Sequence, residues 1–307
     1  MYFGSVRFFK HLLLIAMALI VIFSISSCVY MGVSNHHLKK ILEDNGIEAN
    51  QPSDDSNGAT ATDLKLAKKE RMAQYYLSSF DYQLSYPELY IDNDFIYKDE
   101  PPKSVYLTFD DGLSSMTPKI LDVLKAYGVK ATFFIIYNDS TEAQALYKRI
   151  LDEGHTLGVH STSHQYDAIY QSPAAFLDDF AQTAIMLEQT TGVKPDIFRF
   201  PGGSINPYNR SVYMPIIAEM TRRGYTYYDW NVSADDATKN ATQETIYSKV
   251  VNGVEKRSKS IVLLHDSSEK VDTVAALPSI IKELQSKGYT FYALNKDIRP
   301  IAFNYVE

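Results

Sequence analysis

From residue 104 onward, short apolar and β-branched runs alternate with longer stretches whose apolar positions recur every three to four residues. Runs of the first kind read as strands. They lie at 104–109 (SVYLTF), 130–136 (KATFFII), 156–161 (TLGVHS), 197–200 (IFRF), 225–232 (YTYYDWNV), 260–265 (SIVLLH) and 289–294 (YTFYAL). Stretches of the second kind read as helices. In TPKILDVLKAYG (117–128), Ile120, Leu121, Leu124 and Tyr127 share a face, Thr117 is the expected N-cap, Pro118 the first helical residue and Gly128 the stop. STEAQALYKRILDEGH (140–155) carries a Ser140 or Thr141 cap and Gly154 near its end, and LPSIIKELQSKG (277–288) closes the series. Such alternation implies parallel strands covered by helices. The expected fold is an irregular (β/α) barrel of about seven parallel strands, with an open doubly wound sheet as the alternative. The glycine-rich turn of a dinucleotide fold does not follow the first strand.

Ahead of this region the pattern is of another kind. Residues 12–33 (LLLIAMALIVIFSISSCVYMGV) carry no charge, and at ~1.5 Å per residue they can span a hydrocarbon core of ~30 Å. Arg7, Lys10 and His11 precede them. The expected organisation is a cytoplasmic tail (1–11), a transmembrane anchor (12–33), a flexible tether (34–80) and one folded domain (81–307). Within the tether, NQPSDDSNGATATD (50–63) is polar and aperiodic, and 64–80 suits a short helix. The expected location is the cell membrane, single-pass, with the folded domain outside. Lipoprotein processing at Cys28, in ISSC, and simple secretion are the alternatives.

Composition narrows the function classes. A net charge of -7 excludes an extended basic surface, so no nucleic-acid partner is expected. The single cysteine, Cys28, leaves no internal disulfide framework. A monomer is expected.

In a (β/α) barrel, chemistry gathers where strands end. The first strand runs into Asp110 and Asp111 (TFDDG) and the third into His160 and His164 (HSTSH). The fourth ends at Arg199 (RFPGG), the fifth at Asp229, Trp230, Asp235 and Asp236 (DWNVSADD), and the sixth at His265 and Asp266 (LLHD). Each fragment alone has a plain structural reading: a turn, two exposed loop histidines, a tight glycine bend. Together they supply one chemistry. Histidines at i and i+4 face the same way on a helical turn. With one carboxylate from another strand they form a three-ligand metal site that leaves positions open for water and substrate. The remaining aspartate could accept a proton from water, with Arg199 to orient it. His265 is the natural acid for a departing amine, its pKa raised by a nearby carboxylate.

This assembly resembles the polysaccharide deacetylases, carbohydrate esterase family four, over about residues 104–295, with five motifs in family order. The resemblance implies that Asp110 is the catalytic base and that Asp111, His160 and His164 hold the metal. It implies that Arg199 orients Asp110, that the Gly202 N–H holds the oxyanion, that His265 is the acid and that Leu263 lines a pocket for the acetyl methyl. Many members carry a D-x-x-D-W run as the fourth motif, where this chain has Ser233, Ala234, Asp235, Asp236 and Ala237. Asp236 is kept to tune His265, whereas Ser233 and Ala237 depart from the pattern and alter the sugar groove. Trp230 is a groove wall or a piece of barrel core. The implied activity is metal-dependent hydrolysis of N-acetyl groups from a cell-wall polysaccharide, with N-acetylglucosamine of peptidoglycan the leading substrate. Chitin oligomers, poly-N-acetylglucosamine and acetylxylan are the runners-up. One divalent ion is implied, zinc first, with cobalt, nickel or manganese also suited to two histidines and a carboxylate. The implied partners are an acetylated glycan polymer and the membrane, through residues 12–33. The competing reading is a non-catalytic carbohydrate-binding protein on the same fold; retention of Asp110, Asp111, His160, His164, Arg199 and His265 weighs against it. His155, in EGHTLG, reads as structural.

Overall fold

The computed structural model describes residues 81–303. The expected tail, membrane segment and tether therefore lie outside the described residues. Within them, no helix is long and apolar enough to cross a membrane.

Alternation along the first strand sets the layout. In β1 (Ser104–Gly112), Val105, Leu107 and Phe109 join an outer cluster packed under helices, while Tyr106 points into an inner one. The inner cluster is small: Tyr106, Phe134, Ile197, Tyr228, Ile261 and Leu294, all buried. The outer one takes Ile120, Leu121 and Leu124 of α1 (Thr117–Ala126) and Leu277, Ile280, Ile281 and Leu284 of α7 (Val271–Ser286). Each fully buried aliphatic or aromatic side chain contributes about 1.5–3 kcal/mol, so strands with two apolar faces are strongly committed to this interior.

The remaining elements follow in chain order. They are β2 (Ala131–Ile136), α2 (Thr141–Asp152), β3 (Thr156–Ser161), α3 (Tyr166–Ile169), α4 (Pro173–Thr191), β4 (Ile197–Phe198) and α5 (Tyr213–Arg222). After them come β5 (Thr226–Tyr227), β6 (Val232–Ser233), α6 (Gln243–Val254), β7 (Lys259–His265) and, beyond α7, β8 (Thr290–Phe291). All strand pairs are parallel, in the order β5-β4-β3-β2-β1-β7-β6, with β8 also on β1. This is the curled parallel sheet that the alternation predicts, left as an incomplete barrel.

The predicted fifth strand, 225–232, is split. Its first part pairs with β4 and its last with β7, at opposite ends of the sheet. Between them the Asp229 N–H donates to Ile301 O (2.9 Å), so the C-terminal segment fills the seam that a continuous strand would have closed. A second correction concerns Thr117. It is the first helical residue rather than the N-cap, and its hydroxyl donates to Asp266 (2.5 Å). Ser140 does cap α2, accepting from the Ala143 N–H at 3.2 Å.

The stretch before β1 is fastened to α5. Arg223 is fully buried and donates to the carbonyls of Tyr82 (3.2 Å), Ser85 (2.8 Å) and Tyr86 (2.8 Å) and to Glu219 (2.6 Å). Beside it, Gly224 has φ +87°, and a Cβ there would lie 2.1 Å from Ile91 O; only glycine fits.

Candidate active site

Neighbouring residues of a regular strand point to opposite faces, yet Asp110 and Asp111 both reach His160. The β1–β2 register explains this. It slips between Phe109 and Gly112, and Asp111 adopts φ +68°. The bulge and the left-handed residue bring the second carboxylate back to the rim. Asp110 Oδ2 lies 3.9 Å and Asp111 Oδ1 3.5 Å from His160 Nε2. A left-handed non-glycine residue costs about 1–3 kcal/mol and survives only where its surroundings enforce it. Asp266 helps: this buried carboxylate accepts from Ser114 Oγ (2.6 Å) and Thr117 Oγ1, holding the loop just beyond Asp111. Burial pushes its carboxyl upward, and the two hydroxyls oppose that.

His160 sits near the end of β3, buried, with its Nδ1–H donated to Arg199 O at 2.8 Å. That bond leaves the Nε2 lone pair facing the carboxylates. His164 does not follow on a helical turn, as the four-residue spacing suggested. β3 ends at Ser161, and His164 takes φ +53° in the turn beyond. Asp179 of α4 gathers this turn, accepting from Ser161 Oγ (2.6 Å), Thr162 N (2.8 Å) and Ser163 N (2.8 Å), while Ser161 Oγ receives the His164 N–H (2.8 Å). The result puts His164 Nε2 3.3 Å from Asp111 Oδ1.

The ligand atoms of Asp111, His160 and His164 thus lie within 4.8 Å of one another. Donors about 2.0–2.2 Å from a tetrahedral ion stand about 3.3–3.5 Å apart, which matches the 3.3 and 3.5 Å measured to Asp111. The His164 and Asp111 side chains keep 30% and 28% exposure, so one side of the trio is open. Two imidazoles and a carboxylate with an open side fit zinc and accept cobalt, nickel or manganese.

Arg199, immediately after β4, is fully buried. Its Nη1 donates to Asp110 Oδ1 (2.8 Å) and Thr108 Oγ1 (2.6 Å), and its Nε to Tyr228 O (2.8 Å). The guanidinium packs over Phe134, 4.4 Å from the ring centre. Asp110 is therefore gripped by one oxygen, with the other turned toward His160.

His265 ends β7 directly opposite Asp110 in the β1–β7 register. Its Nδ1–H donates to Asp236 Oδ1 (2.7 Å), while Asp236 Oδ2 accepts the His265 N–H (2.9 Å) and Thr273 Oγ1 (2.9 Å). Burial works to lower the His265 pKa. The hydrogen bond and charge of Asp236 outweigh it, Asp110 and Asp111 add to them, and the net direction is up. For Asp236, burial works upward, the bonds and charge of His265 prevail, and the net direction is down.

The other sequence-predicted residues fall as follows. Gly202, at φ +74°, lies in the turn after Arg199, with Tyr166 Oη 3.2 Å from where its Cβ would be. Leu263 is buried on β7 opposite Thr108. Trp230 packs on the inner cluster and meets Phe303 edge-on at 4.9 Å, so part of it is barrel core. Asp229 is buried and accepts from Ser204 N (2.8 Å), Ser204 Oγ (2.5 Å) and Phe303 N (2.7 Å), tying the glycine turn to the C-terminal segment. Asp235 turns away to Lys249 (2.7 Å). His155 is buried, accepts the Ala131 N–H (3.1 Å), and is pushed down to about 4 by burial, with Lys130 adding. Sequence reasoning missed Asp179, Thr108 and Thr273; their partners are 16 or more residues away, so no local pattern marks them.

The polysaccharide deacetylase family model matches residues 97–226. A peptidoglycan-N-acetylglucosamine deacetylase of Bacillus cereus is 34% identical over 200 residues, covering 64% of this chain and 89% of that protein. The solved catalytic domain of a peptidoglycan N-acetylglucosamine deacetylase from Eubacterium rectale matches with a TM-score of 0.64 at 37% identity, over 69% of this chain and 97% of that one. A family-four pseudoenzyme from Bacillus anthracis also matches, with a TM-score of 0.53 at 27% identity, over 64% of this chain and 66% of that one.

Proposed function

Since this chain belongs to the polysaccharide deacetylase family, we propose that it removes N-acetyl groups from N-acetylglucosamine of peptidoglycan, using a divalent metal. The observation that carries the reading is the meeting of Asp111, His160 and His164 within 4.8 Å, beside an Asp110–His265 pair on adjoining strands. The names of the relatives in Bacillus cereus and Eubacterium rectale support the choice of substrate. Chitin oligomers, poly-N-acetylglucosamine and acetylxylan are the other substrates such a site would serve.

Asp111, His160 and His164 would hold a divalent ion, zinc in our reading, which would supply Lewis acidity for the hydrolysis. Asp110, fixed through Oδ1 by Arg199, takes the proton of the attacking water on Oδ2. The Gly202 N–H donates to the oxygen on which negative charge develops. His265, held through Nδ1 by Asp236, gives a proton to the departing amine. Leu263 covers the acetyl methyl and Trp230 walls the groove. Acetate and a free amino sugar result. Residues 12–33 would keep the enzyme at the membrane, facing the wall.

The test is acetate release from purified peptidoglycan by the full chain, with chelator and with zinc restored. Release that chelator abolishes and zinc restores supports the reading. Glycan binding without acetate at any metal loading favours the non-catalytic alternative.

A further inference from the structure

Beside His164 the surface opens into a recess of about 430 Å³, lined by Gln165, Tyr166, Asp167, Ala168, Gln171 and Tyr208. Its size suits a bound small molecule or sugar residue, since such sites run to about 300–1,000 Å³. The Tyr166 ring stands 5.2 Å from the His164 ring and 5.1 Å from that of Tyr208, the latter at 35°. A continuous aromatic surface thus leads away from the candidate metal ligands.

The Tyr166 ring is packed against its neighbours, and the backbone that carries Tyr208 is tied by hydrogen bonds. Tyr166 stacks on Tyr170 (6.1 Å, 17°), which stacks on Phe176 and donates to Pro201 O at 2.7 Å. Tyr208 is 51% exposed, yet the loop bearing it is closely hydrogen-bonded. Its N–H donates to Asn206 Oδ1 (2.9 Å), and Asn206 Nδ2 donates to the carbonyls of Pro201 and Gly203 (both 3.1 Å). Fully buried Asn209 accepts the Asn206 N–H (2.8 Å) and donates to Gly203 O and Ser204 O. A large half-exposed ring on a hydrogen-bonded loop, set against the packed Tyr166 ring, offers aromatic surface on a pre-organised backbone, which lowers the entropic cost of binding. The flat apolar face of a pyranose matches an aromatic ring, and its hydroxyls match Gln165, Asp167 and Gln171 at the rim.

We propose that the Tyr166–Tyr208 surface is a subsite for the sugar next to the residue being deacetylated, and that Tyr208 makes the enzyme favour longer glycan chains. This rests on the deacetylase reading above. Its test is acetate release from N-acetylglucosamine oligomers of increasing length, by the full chain and its Tyr208→Ala and Tyr208→Phe variants. The wild type gains kcat/KM as the chain lengthens. Tyr208→Ala loses roughly three- to tenfold of that gain, carried by KM rather than kcat, and Tyr208→Phe, which keeps the ring, retains it. An undiminished gain in Tyr208→Ala, or a loss in Tyr208→Phe equal to that in Tyr208→Ala, overturns the subsite and leaves the deacetylase reading standing. No acetate from any oligomer with the metal-loaded wild type overturns both.

Discussion

Asp236→Asn removes the charge beside His265 and turns one of the two acceptor oxygens there into an amide NH2. The side chain keeps its volume, and its remaining carbonyl oxygen can still accept the Nδ1–H, a bond of 2.7 Å in the native protein. What disappears is the negative charge that outweighs burial and lifts the His265 pKa. Hydrogen bonds between charged groups contribute about 1.5–3 kcal/mol, so loss of the charge should bring the His265 pKa down. The sign follows from its role. His265 must carry a proton to give to the amine, so the alkaline limb of the kcat/KM profile reports its deprotonation. A lowered pKa moves that limb to lower pH and narrows the profile; at neutral pH the protonated fraction, and with it kcat/KM, falls by up to about 10–100-fold. Asp111, His160 and His164 are untouched, so metal content should match the wild type. The assay is the pH profile of acetate release, paired with metal analysis of the same preparation. An alkaline limb that stays in place while the rate falls would mean that another group sets it, and would refute the assignment of His265 as the acid.

Asp110→Asn should reduce acetate release by about 10²–10⁴-fold with metal content unchanged; metal loss instead would exchange the roles given to the two aspartates. His160→Ala removes the ligand whose orientation Arg199 O fixes, so metal affinity should drop steeply in a competition titration with a chromogenic chelator, and unaltered affinity would exclude the trio. Arg223→Met leaves three carbonyls and part of Glu219 without a buried donor. It should cost about 3–5 kcal/mol in urea unfolding, and a loss within about 0.5 kcal/mol, ordinary for a surface change, would count against the fastening of residues 82–86.

The strands that sequence reading delimits well, β1, β2, β3 and β7, lie together at the centre of the sheet, where both faces are buried and the apolar run is nearly continuous. Toward the ends the signal weakens, because pairing there shrinks to two residues. YTYYDWNV looks like one strand because its residues suit either face, and only the distant carbonyl of Ile301 shows where the chain leaves the sheet. The chemistry was more legible than the geometry. Asp110, Asp111, His160, His164, Arg199 and His265 could be singled out because rare polar types follow apolar strands. What could not be read is how two adjacent aspartates serve one rim, or that His164 arrives through a left-handed turn held by Asp179. Both depend on register and on partners far along the chain.

The altered fourth motif keeps its contact with His265 and gives the rest of its residues to local structure. Asp236 keeps the contacts that govern His265, accepting from its ring, its backbone and Thr273. Ser233 and Asp235, by contrast, bond to each other (2.7 Å), and Asp235 pairs with Lys249, so this part of the motif is spent on local structure. Ala237 is exposed and brings no ring to the groove. The aromatic surface contiguous with the candidate ligands is the one on the His164 side, through Tyr166 and Tyr208. If a glycan strand is gripped there and His265 is the acid, a tryptophan at position 237 is dispensable for holding the strand, whereas Asp236 is needed to keep His265 protonated. On that reading the turns after β3 and β4, which carry the two tyrosines, would set substrate choice, while Ser233 and Ala237, standing where the family pattern has aspartate and tryptophan, leave the Asp236–His265 contact in place.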